Sequence, residues 1–229
     1  MNTEEAKILE SWQVNAENWI QTIAHSEIES RQLVTNQAII DAMNKFLIHK
    51  EMSVIDIGCG EGWLLRYLEQ KGYKNLFGVD AIPPLIASAK QSVPTASFAT
   101  CTYQEIAEGK LPFKGFDLIV CNFSLLGKES TEDLIKSLPY LLKINGKVIV
   151  QTLHPHTIKG VGNTSTWVEG SWIGMKRDFQ MPYDWYFRTL EDWLVLFENA
   201  KLGLLEQIEP LHPYTDLPAS IIFCLTNKD

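Results

Sequence analysis

The period of the hydrophobic pattern changes along the chain. Over residues 2–24, Ile8, Trp12, Trp19 and Ile23 recur on one side of a helix. Ser26, with Glu29 three positions later, has the form of a capping box. It predicts a second helix over 26–49 through Leu33, Ile40, Met43 and Leu47. The rhythm then shortens. "MSVIDI" is a continuous apolar strand and "GWLLRYLEQKG" a helix ended by Gly72. "NLFGVD" is a strand, "PPLIASAKQ" a helix opened by prolines, "ASFAT" a short strand and "GFDLIVCNF" a long one. "TEDLIKSLPYLLKING" predicts a helix capped by Ser130 or Thr131 and closed by Gly146, followed by the strand "KVIVQTL".

Strands that alternate with helices predict an α/β fold with a mostly parallel sheet covered on both faces. Right-handed crossovers bring the strand C-terminal ends to one edge, and ligands bind along that edge. The alternation stops over residues 154–187. Trp167, Trp172, Phe179, Tyr183, Trp185, Tyr186 and Phe187 fall there, and so many aromatics argue for an ordered, functional insertion. "TLEDWLVLFENA" resumes with a helix. "LGLLEQIEP" and "SIIFCLTN" follow as strands whose short link permits an antiparallel pair.

Composition narrows the function. The 229 residues suit one large domain, and the net charge is −8 with no Lys/Arg run. Nucleic-acid affinity draws on clustered cations, so nucleic acid is not the expected partner. Cys59, Cys101, Cys121 and Cys224 lack metal-ligand spacing and read as buried reduced thiols of a cytoplasmic protein. The acidic, helical N-terminus does not read as a signal peptide, and no apolar run has the length of a membrane span. No ligand cluster suggests a metal.

"SVIDIGCGEGWLL" carries the chemistry. Asp56, Gly58, Gly60 and Gly62 spell D-x-G-x-G-x-G at a strand-to-helix turn. Bare backbone there permits positive φ and close approach of a ligand. A dinucleotide turn wants G-x-G-x-x-G. The early third glycine and the acid before the first favour a ligand carrying an ammonium group over a pyrophosphate. Asp80 ends the next strand, where a carboxylate can accept hydrogen bonds from both ribose hydroxyls, and Ile82 could lie on an adenine face.

In these motifs the chain resembles the class I S-adenosylmethionine-dependent methyltransferases, over roughly residues 54–228. "VIDIGCGEGWLLRYL", "FGVD", "FDLIVCNFSLL" and "LLKINGKVIVQTLHP" match successive family blocks. The resemblance implies a Rossmann-like seven-stranded sheet whose last strand is antiparallel. It implies a helical cap over 1–50, a methyltransferase domain over 51–229, and a substrate-side insertion over 154–187. S-adenosylmethionine is the implied cofactor. The glycine loop would hold its methionine end, Asp80 the ribose with Ala81 and Ile82 adjacent, and Asn122 and Phe123 the neighbourhood of the sulfonium. Where the family often carries an acid for the adenine amino group, this chain reads "ATCTYQEI", so Thr102, a backbone group, or Tyr103 beside it stands in that place. Arg31 is a candidate for the cofactor carboxylate. His154, in "QTLHP", is the candidate general base or acceptor-orienting group, because imidazole titrates near neutral pH. Arg188 reads as a brace for the insertion, and Trp12 and Trp19 as core packing. The expected activity is methyl transfer to oxygen or nitrogen of a small, partly apolar acceptor. Methylation of a quinone precursor at carbon or oxygen, and a non-catalytic module on the same scaffold, are the alternatives.

Overall fold

The computed structural model describes residues 3–158 and 161–228. Asn2, expected to begin the first helix, lies outside the described residues. Helix α1 spans Thr3–Ala24. The next helix departs from expectation at both ends. Ser26 sits in a left-handed turn at φ 53°, where it cannot serve as the cap. Helical structure begins at Glu29, passes through one π-helical turn at Arg31–Thr35, and continues as α2, Asn36–Asn44.

The alternating part follows as β1 (Ser53–Ile57), α3 (Trp63–Gln70), β2 (Asn75–Asp80), α4 (Pro83–Ser92), β3 (Ser97–Thr100), α5 (Tyr103–Ala107) and β4 (Phe116–Asn122). Then come α6 (Glu129–Leu141), β5 (Leu142–Thr152), the hairpin strands β6 (Thr166–Val168) and β7 (Trp185–Phe187), α7 (Leu190–Asn199), β8 (Leu202–Ile208) and β9 (Ile221–Asn227). Two boundaries correct the sequence reading. The helix expected to reach Gly146 ends at Leu141, two residues after Pro139, which lacks the donor a helix interior needs. Gly146 lies within β5, where a Cβ would stand 2.8 Å from Phe116 O. Helix α5 is additional. Thr102 and Glu105 cap it reciprocally, a box visible as T-Y-Q-E.

The main sheet has the order β3-β2-β1-β4-β5-β9-β8, and β9 alone runs antiparallel to its neighbours. β1 pairs in parallel with β2 and β4, so Ile57, Asp80 and Asn122 end their strands along one edge. Both faces are covered. Ile55, Ile57, Ile119 and Phe223 pack on one side with residues of α6 and α7. Val54, Leu118, Ile149 and Ile222 pack on the other with residues of α2 and α3. Each such side chain contributes roughly 1.5–3 kcal/mol by leaving water. The four cysteines are buried and free. Among the described residues no helix is long and apolar enough to cross a membrane.

Candidate active site

One cavity of about 460 Å³ opens at the strand C-terminal edge. Its floor is the turn after β1, the end of β2 and the end of β4. Its roof is α1 with the segment between β5 and α7. The glycines of the turn have different tasks. Gly58 (φ 76°) would place a Cβ 2.3 Å from Ser124 Cβ, and Gly62 (φ 84°) would place one 3.1 Å from Ala89 Cβ, so both serve turn geometry and close packing. Gly60 (φ 56°) would meet only Trp19 Nε1, at 3.5 Å. Its bare Cα leaves the floor open to a ligand.

Asp80 is fixed from both sides. Gly60 N–H donates to its Oδ2 at 2.9 Å and Ile82 N–H to its Oδ1 at 3.0 Å. Burial raises the Asp80 carboxyl pKa, against the lowering effect of these backbone bonds. Asp56 lies beneath the turn. Burial, with repulsion from Asp80 and Glu61 and opposition from Arg31, pushes its pKa up to about 8. Burial also raises Glu61, mainly against the attraction of Arg31.

Arg31 is held in place on several sides. Its guanidinium lies 4.9 Å from the Trp63 ring and 5.8 Å from the Trp19 ring, and its Nε–H donates to Asn36 Oδ1. Burial lowers its pKa. Five buried polar positions around this end of the cavity have no hydrogen-bond partner: Arg31 Nη2, Asp56 Oδ1, both Glu61 oxygens and Asn122 Oδ1. Orphaned polar atoms are costly, which makes this end of the cavity the candidate binding site.

Of the residues expected at the site, Arg31, Gly58, Gly60, Asp80, Ala81, Ile82, Thr102, Tyr103, Asn122 and Phe123 line the cavity. Asp56, Gly62 and His154 do not. Thr102 is occupied in capping α5: its Oγ–H donates to Glu105 Oε2 and its Oγ accepts Glu105 N–H. Tyr103 O–H donates to Ser124 O. His154 is buried; its Nδ1 accepts His156 N–H and its Nε2 lies 3.3 Å from Glu209 Oε2. Desolvation lowers its pKa, against the opposing effect of the Glu209 carboxylate.

The roof supplies residues that periodicity did not mark. Trp12 and Trp19 pack against Ala16, Ile82 and Leu85, as a core stripe would, and also line the cavity, as does Glu5. Trp172, Tyr183, Trp185 and Tyr186 join them from the insertion. Arg188 lines it too, and braces the loop after β4 by donating to Gly127 O and Lys128 O at 3.0 and 2.8 Å.

The sequence model of one protein family, described as a methyltransferase domain, matches residues 30–207. The chain belongs to that family. Malonyl-[acyl-carrier protein] O-methyltransferase of Anoxybacillus flavithermus is 24% identical over 162 residues, 70% of this chain and 60% of that protein. The tRNA U34 carboxymethyltransferase of Helicobacter pylori is 29% identical over 120 residues, 49% of this chain and 45% of that protein. The chain thus spans only about half the length of these curated relatives. Among solved structures, Burkholderia thailandensis 1,6-didemethyltoxoflavin-N1-methyltransferase, with 1,6-didemethyltoxoflavin and S-adenosylhomocysteine bound, superposes with a TM-score of 0.69. The match covers 100% of this chain and 92% of that one at 14% identity. At that identity the likeness is one of fold.

Proposed function

We propose that the protein is an S-adenosylmethionine-dependent methyltransferase acting on a small molecule. The observation that carries this is Asp80: a half-buried carboxylate, aimed by two backbone N–H groups at the end of β2, on the wall of the cavity. Such an acid suits two vicinal hydroxyls. The orphaned atoms suit the other end of the same ligand. Arg31 Nη2 would take its carboxylate, and Glu61, on the cavity wall, stands where an ammonium group would compensate it. Ala81, Ile82 and Leu85 offer an apolar slot for the adenine.

The bound cofactor would supply an electrophilic methyl group on a sulfonium. The chain has to align an acceptor, exclude water and receive a proton. The aromatic roof suits a small, partly apolar acceptor, and the net charge of −8 disfavours a nucleic acid. We assign His154 to bracing the chain after β5, because its ring faces Glu209 and is not on the cavity wall.

Calorimetric titration with S-adenosylhomocysteine tests the reading. Asp80→Ala should weaken binding by about 1.5–3 kcal/mol, the cost of losing a charged hydrogen-bond partner. Equal affinity in the variant and the parent would contradict the placement of the ribose.

A further inference from the structure

Resting on the methyltransferase reading, the geometry points to the chemistry of the methyl acceptor: a neutral, planar ring compound that carries a conjugated carbonyl oxygen, received by the hydroxyl of Tyr183. The β6–β7 hairpin sets this tyrosine in the roof. Val168 pairs with Trp185, and the same register brings Gly170 opposite Tyr183, where a Cβ on Gly170 would collide with Tyr183 O. Trp12 Nε1–H donates to the Tyr183 hydroxyl oxygen at 3.0 Å. That oxygen is thus engaged, while the hydroxyl's own proton has no acceptor among the described residues. Burial raises the Tyr183 pKa against the lowering effect of the Trp12 bond, so the proton stays on the oxygen at neutral pH. An N–H donated to the oxygen also polarises the O–H and makes it the better donor. Trp172 packs edge-on beside it, with ring centroids 5.6 Å from Tyr183 and 5.7 Å from Trp12. Its Nε1–H is buried and has no partner. Two donors without acceptors therefore stand together on one aromatic wall of the cavity. A buried donor left unpaired is costly, so a ligand that brings an oxygen lone pair is favoured there.

The charges of the same side answer one another. Glu5 Oε1 accepts the N–H and the Oγ–H of Ser130. Arg188 donates to Gly127 O and Lys128 O and lies 3.8 Å from Glu132. Burial lowers the Arg188 pKa to about 10, against the attraction of Glu132, Tyr186 and Glu5. The Tyr186 ring already has the Arg188 guanidinium at 4.8 Å and the Lys128 ammonium at 5.4 Å. An anionic acceptor would meet Glu5 with Arg188 already engaged. An ammonium group carries donors alone and would leave the Tyr183 proton unpaired. A carbonyl pairs with that proton and buries no charge, and a flat ring packs on the faces and edges of the aromatic wall.

Equilibrium dialysis of the S-adenosylhomocysteine-saturated protein, just below neutral pH, compares 4-hydroxyacetophenone, 4-ethylphenol, 4-hydroxybenzoate and tyramine. The four share a phenol ring and differ in the group opposite its hydroxyl. The ketone should bind about fivefold or more tighter than each of the others, the range of one well-made neutral hydrogen bond. Y183F removes the donor and should bring the ketone to within about twofold of 4-ethylphenol. The same change strands Trp12 Nε1–H, so W12F is the control: it removes that bond, keeps the Tyr183 hydroxyl, and should retain a ketone preference of about threefold or more. Each reading is a ratio on one protein, so a general loosening of the roof does not imitate it. A ketone that fails to bind, or binds no more tightly than 4-ethylphenol, overturns the assignment. So does a preference for the benzoate or tyramine, a ketone preference that survives in Y183F, or one lost equally in W12F. Failure of S-adenosylhomocysteine to bind the unaltered protein would instead overturn the methyltransferase reading, and this inference with it.

Discussion

On the floor of the cavity, backbone positions backbone. Gly58 N–H and Cys59 N–H both donate to Val79 O, at 2.7 and 3.0 Å, and the register of β1 against β2 carries Asp80 to its place. Across the roof, side chains do the positioning. Asn15 donates to Gln180 O at 2.6 Å and accepts Gln180 N–H at 2.8 Å. Asn18 donates to Asp178 O, Trp12 Nε1–H donates to the Tyr183 hydroxyl, and Arg177 grips Glu27 with two nitrogens. The floor should thus tolerate side-chain changes except where a Cβ cannot fit. The roof should loosen one contact at a time.

The largest effect is expected where the floor has no space. Gly58→Ala combines a left-handed φ with a Cβ in collision with Ser124, and should cost about 3–5 kcal/mol in urea unfolding. Gly72→Ala shares the positive φ (86°) but meets nothing within 4 Å, and should cost about 1–2 kcal/mol. Equal costs would mean that crowding at the turn contributes nothing.

Titration of the floor comes next. The Asp56 pKa rises on folding from the ordinary carboxylate range to about 8. Protonation therefore favours the folded state. This stabilisation is complete below about pH 4 and is lost as pH rises toward 8, at on the order of 1 kcal/mol per unit. Unfolding midpoints of the ligand-free protein should fall over that window. Asp56→Asn should flatten the fall and be the more stable protein at pH 8.5; an unchanged slope would place the charge elsewhere.

Roof changes should be smaller and local. Asn15→Ala removes both hydrogen bonds to the backbone of the exposed Gln180 and should cost about 1–2 kcal/mol. Hydrogen exchange at Gln180 should accelerate while S-adenosylhomocysteine affinity stays within twofold. Arg177→Ala removes a partly exposed ion pair with Glu27 and should cost about 0.5–1 kcal/mol, less at high salt. A loss of cofactor affinity in either variant would show that floor and roof are coupled.

The same contrast explains what the sequence made legible. Glycine spacing, strand alternation and Asp80 are local signals of a floor built from consecutive strand ends, so most of the expected cofactor residues do meet at one cavity. The antiparallel pairing of β8 with β9 was legible in a link too short for a crossover, whereas the reversal of β9 against the rest of the sheet was implied only by the family resemblance. Ser26 misled because a capping pattern does not reveal that its serine has taken a positive φ. Glu5 and Trp12 lie on a helix whose stripe looks like any core face, and their partners are more than a hundred residues away. His154 attracted notice for its chemistry, but its direction toward Glu209 depends on the link between β8 and β9. Residues paired at such separations leave no periodic trace in one sequence.

Thermal unfolding with S-adenosylmethionine, S-adenosylhomocysteine or NAD at matched concentrations tests the central claim most directly. A ligand at a hundred times its dissociation constant adds roughly 2.7 kcal/mol, a shift on the order of 5–10 °C for a domain of this size. Shifts with the two adenosyl ligands and none with NAD are the predicted result. A shift with NAD alone, or with none of the three, would contradict it.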